Sequence, residues 1–79
     1  MYMQRNIRRN QILTESIKIV TEKGWASLTV ANVAVACSVS ERTIHRFFTG
    51  RIELAQGVIA FAEINGDKET ARKGKELGF

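Results

Sequence analysis

The strongest constraint in this chain is a helix-start signal that occurs twice, eleven residues apart. Leu28-Thr29 precedes Val33, and Val39-Ser40 precedes Ile44, on identical spacing. Thr29 and Ser40 each offer a hydroxyl that can accept a free backbone N–H of a helix's opening turn. Leu28/Val33 and Val39/Ile44 stand at the hydrophobic-staple positions on either side of those caps. The doubled signal sets the register of two short helices, and Ala36-Cys37-Ser38 leaves room only for a turn between them. Helices joined so tightly must cross rather than stack. This is helix-turn-helix geometry.

The second of these helices is expected to run from Ser40 to Phe48 with two unlike faces. Ile44, Phe47 and Phe48 supply apolar anchors, which leaves Glu41, Arg42, Thr43, His45 and Arg46 for the outside. Arginine can bond phosphate or make a bidentate contact with guanine, and a helix so placed can lie in the major groove. The pattern therefore points to duplex DNA. An ordinary solvated face is the alternative for any short basic helix read alone.

Charge follows the same division. Residues 1–51 hold eight Lys/Arg against three acids, a balance of +5, and residues 52–79 hold four against five, a balance of −1, so the positive charge sits in the helix-turn-helix half. That is the electrostatic footprint of a nucleic-acid binder. Near the start, Arg5, Arg8 and Arg9 either form an arm that adds phosphate contacts or merely solubilise the terminus.

Enzyme chemistry has little support. One His and one Cys give no metal-ligand spacing and no internal disulfide, and there is neither a Gly-rich phosphate loop nor an evident triad. No cofactor and no small-molecule ligand is implied. Cys37 reads as a small core hydrophobe. No apolar run approaches the ~20 residues of a membrane span, and no signal-peptide core is visible, so the expected location is cytoplasmic.

The flanking elements follow from periodicity. Ile12, Leu13, Ser16, Ile17 and Val20 form one stripe of a first helix from near Ile7 to Lys23, with Glu15 and Lys18 paired on the wet side. Gly24 fits its C-terminal cap, and Trp25 is expected to plug the core between that helix and the helix-turn-helix. A fourth helix begins near Arg51 and ends at the turn signal Asn65-Gly66. It is more apolar than one core face requires. Leu54, Val58 and Phe61 make one row; Ile52, Ala55, Ile59 and Ala62 make a second, expected to mark a homodimer or protein-partner surface. Residues 65–79 read as a charged tail, either a short helix from about Asp67 to Lys73 or disordered, following a first unit of residues 1–64.

From Arg9 to about Ala60, roughly two-thirds of the chain, the sequence resembles the N-terminal DNA-binding domain of the tetracycline-repressor (TetR) family. The matching run is Ile12-Leu13, Glu22-Lys23-Gly24-Trp25, Leu28-Thr29-Val30, Val33-Ala34, Val39-Ser40, Thr43-Ile44, Phe48 and Arg51-Ile52-Glu53-Leu54. Three positions depart from the family pattern: Ser38 replaces the usual turn Gly, His45 the usual Tyr, and Arg51 the usual Lys. The resemblance implies an all-α, homeodomain-like bundle, a three-helix core with helix-turn-helix plus a fourth helix, and a role in transcriptional repression. Typical members add a C-terminal domain for inducer binding and dimerisation. This sequence shows no such pocket, and an excised domain, a short regulator and a reader recruited by another protein all fit it.

The expected DNA-contact set is Thr29, Ser40, Arg42, Thr43, His45, Arg46 and Arg51. Arg42 and Thr43 are placed as base readers and Thr29, Arg46 and Arg51 as phosphate contacts, with His45 open between the two roles. A rival reading is a protein-interaction module, favoured by Glu41, whose carboxylate repels phosphate unless it meets a cytosine amine or an arginine.

Overall fold

The computed structural model describes the backbone of residues 2–79 and the side chains of residues 7–79. Among the described residues five helices follow one another: α1 (Tyr2–Lys23), α2 (Val30–Cys37), α3 (Glu41–His45), α4 (Arg51–Ile64) and α5 (Lys68–Glu76), with one 3-10 turn at Trp25–Ser27. The described residues contain no strand, so the all-α expectation holds.

α1 is longer than its apolar stripe. It starts at Tyr2 rather than near Ile7, because residues 2–9 contain neither Gly nor Pro to stop a helix extending backwards. Arg8 and Arg9 therefore sit on α1 and are exposed, not on a separate arm; the Arg5 side chain lies outside the described residues. Ile12, Leu13 and Val20 are buried, and the buried Ser16 hydroxyl is satisfied by donating to the Ile12 carbonyl at 2.7 Å. Gly24 closes the helix at φ 93°, a left-handed conformation that a side chain would strain.

Both predicted caps are in place. Thr29 Oγ1 accepts from the Asn32 N–H at 3.0 Å, and Ser40 Oγ accepts from the Thr43 N–H at 3.2 Å. Between the two helices Ser38 adopts φ 57°, ψ 42°, and the Val39 N–H reaches back to the Ala34 carbonyl at 3.0 Å. This is the left-handed helix stop that glycine normally provides. A serine occupies it here.

α4 keeps its expected bounds, but its second apolar row has a different use. Ala55, Ile59 and Ala62 are buried, and of the four predicted surface residues only Ile52 is exposed. α5 packs along α4, with Gly74 against Ile59, and its N-cap Asp67 accepts from the Thr70 N–H at 3.2 Å. Ala71 and Gly74 are the buried positions of α5, and their small size lets its backbone lie close to α4. Lys75 pairs with Glu63 of α4 at 2.5 Å across the seam. The expected partner surface is thus mostly an internal one.

Trp25 meets the same helix. It is buried, yet a Cβ added at Gly74 would stand 2.6 Å from its Cζ2, and its ring lies 5.7 Å from that of Phe79. It fills the seam beneath α5 as well as the end of α1.

Candidate nucleic-acid interface

α3 presents its polar side chains because its other side is anchored. Ile44 and Phe48 are buried, and Phe47 is half-buried. Phe48 reaches α4 at Gly57, where an added Cβ would meet its Cε1 at 2.8 Å. The regular helix stops at His45 rather than Phe48. The Arg46 N–H is shared between the Arg42 and Thr43 carbonyls, and the Phe47 N–H bonds the Ile44 carbonyl at 2.9 Å. Such i→i+3 bonding tightens the last turn and still delivers Phe48 to the core.

The outward side carries Glu41, Arg42, His45 and Arg46, all exposed, with Thr43 half-buried. Arg42 and Arg46 enter no ion pair among the described residues. Ser40 Oγ and Thr43 Oγ1 lie 3.2 Å apart, so one hydroxyl donates to the other and one hydrogen stays available. Thr29 uses its oxygen as a cap acceptor and keeps its O–H to donate.

Arg9 of α1 meets the segment that follows α3. Its guanidinium lies 5.2 Å from the centroid of the Phe48 ring, a cation–π contact that connects the α1 basic end to the end of the recognition helix. Arg8 and Glu15 act electrostatically on Cys37 at the end of α2. Burial, followed by Glu15, pushes the Cys37 thiol up, with Arg8 opposing. The group is held as a neutral thiol.

Arg51 is placed differently from the other arginines. Its Nε donates to the Leu28 carbonyl at 2.8 Å and its Nη2 to the Trp25 carbonyl at 3.2 Å, with the Phe79 ring 5.4 Å from its Cζ. Much of its fork is turned to the protein, onto the turn that leads into α2. Sequence patterns carry no signal for such carbonyl acceptors, nor for the meeting of Arg9 with Phe48.

The family of bacterial regulatory proteins, tetR family, matches residues 12–58, well over half of the chain. The chain belongs to the TetR family. Members of this family are helix-turn-helix DNA-binding transcription regulators and not enzymes. Its match spans the second half of α1, the helix-turn-helix and most of α4, and α5 lies outside it. No curated protein and no solved structure matches the chain. Among the described residues no group of His, Cys, Asp or Glu could hold a metal ion, and no helix is long and apolar enough to cross a membrane.

Proposed function

We propose that this TetR-family chain binds duplex DNA sequence-specifically and represses transcription, with the polar face of α3 in the major groove. The observation that carries this reading is the pair Arg42 and Arg46, exposed and free of ion pairs among the described residues, on a helix whose opposite side is locked by Ile44 and Phe48. Arg42 and Thr43, near the start of α3, read base edges. Thr29, Ser40, Arg46, Arg8 and Arg9 bond phosphates. Arg51 holds the turn before α2 in place and contributes through the fold. This work belongs in the cytoplasm, where a bacterial regulator meets its operator.

The second reading, a protein-interaction module, rests on Glu41 within the basic face. It has less apolar surface to use than the α4 pattern suggested, because Ala55, Ile59 and Ala62 are buried within the fold. Selection of bound duplexes from a random-sequence pool separates the two. An enriched motif lost in the Arg42→Ala, Arg46→Ala double variant supports DNA reading. A two-fold motif with half-site centres about one helical turn apart, roughly 10–10.5 bp, supports a dimer. Absence of binding even at low salt defeats the DNA reading and favours a protein partner.

A further inference from the structure

His45 stands where the family usually has tyrosine, and one contact decides what it can recognise. Its Nδ1 lies 3.1 Å from the backbone carbonyl oxygen of Thr49. A carbonyl oxygen accepts and does not donate, so Nδ1 must carry the proton. In the neutral ring Nε2 is then a bare acceptor. With Nδ1 turned toward the α3–α4 loop, Nε2 faces away from that loop, and the residue is exposed. A tyrosine hydroxyl both donates and accepts; this imidazole, so held, only accepts.

Phosphate oxygens are acceptors too, so neutral His45 has nothing to offer the DNA backbone. Guanine O6 and N7 and thymine O4 are excluded for the same reason. The major-groove donors are the cytosine N4 and adenine N6 amines. His45 is also one helical turn beyond Arg42, on the same exposed side of α3. Resting on the DNA reading above, we infer that His45 is a specificity-determining residue that accepts a hydrogen bond at Nε2 from the exocyclic amine of a cytosine or adenine, beside the base pair read by Arg42. Its neighbour supplies donors and His45 supplies the acceptor, so the two select complementary base edges.

The test uses the full chain at about pH 8.5, above the range in which imidazoles ordinarily titrate. Duplexes are selected with the parent and with His45→Ala. The cytosine or adenine at the position lost in the variant is then replaced by pyrimidin-2-one or purine, which lack the amine. Removing the amine should weaken the parent about fivefold to tenfold, the scale of one hydrogen bond, and leave His45→Ala unchanged. His45→Gln, whose amide oxygen also accepts, should regain the sensitivity, which loss of a merely structural contact to Thr49 does not explain. An unchanged motif in His45→Ala, or equal losses in parent and variant, overturns the inference while leaving DNA reading intact. A parent that enriches no motif overturns both.

Discussion

Arg51 and Leu28, 23 residues apart, are joined by a 2.8 Å bond from the guanidinium Nε to the backbone carbonyl. Together with the Trp25 carbonyl at 3.2 Å, this ties the first residue of α4 to the segment that enters α2. A charged donor on partly buried carbonyls contributes more than an exposed ion pair. Arg51→Ala is therefore predicted to lower unfolding stability by about 1–3 kcal/mol in denaturant titration. Arg51→Lys should recover only part, because an ammonium lacks the fork that spans two carbonyls. The salt slope of DNA binding should stay unchanged. A reduced slope with unaltered stability contradicts this structural role and returns Arg51 to the phosphate contacts.

Ser38 holds a left-handed conformation at φ 57°. For a residue with a Cβ that conformation costs roughly 1–2 kcal/mol, partly offset by the greater freedom glycine has when unfolded. Ser38→Gly should stabilise the chain by about 0.5–1 kcal/mol, visible as a higher Tm. An unchanged or lower Tm contradicts the strain.

Gly74 admits α5 to the core. A methyl group there would meet Trp25 Cζ2 at 2.6 Å and Ile59 Cδ1 at 2.9 Å, and a packed indole has little room to yield. Gly74→Ala gains about 1 kcal/mol of helix propensity but loses about 1–3 kcal/mol to overpacking. The predicted net effect is destabilisation with a changed emission spectrum of Trp25, the single tryptophan. A more stable variant with parental emission shows that α5 does not lie on Trp25.

These cases mark what was legible in the sequence. The caps, the α1 stripe and the stop at Gly24 are local signals, and all are present in the fold. The destination of the second α4 row was not legible. α5, which brings Gly74 against Ile59, has Ala71 and Gly74 as its buried positions, and these carry almost no hydrophobic signal, so Ile59 resembles an exposed residue until α5 is seen. The arginines differ in the same way. Type and spacing place Arg42 and Arg46 on an outer face, but no pattern tells that Arg51 spends its donors on carbonyls or that Arg9 meets Phe48. For His45, residue type left two roles open, and its contact with the Thr49 carbonyl carries no signal in the sequence.

Cys37 gives a pH prediction. Burial holds its thiol above the ordinary value of 9.0, so the folded state favours the protonated form. Stability is then fully present below the unfolded value and is lost as pH rises through the folded one. Unfolding stability should fall as pH rises past about 9, the ordinary thiol range, and Cys37→Ala should lessen that fall. Alkylation of Cys37 should also be slower in the native than in the unfolded chain. Equal rates in the two states contradict its burial.

The central claim is that the outer face of α3 reads DNA sequence, and the most direct measurement is the affinity of the parent and Arg42→Ala for a selected duplex and for a scrambled one, at one salt concentration. The account predicts that Arg42→Ala loses about 1–3 kcal/mol on the selected duplex, much less on the scrambled one, and so narrows the ratio between them. A variant that binds both duplexes as well as the parent contradicts it.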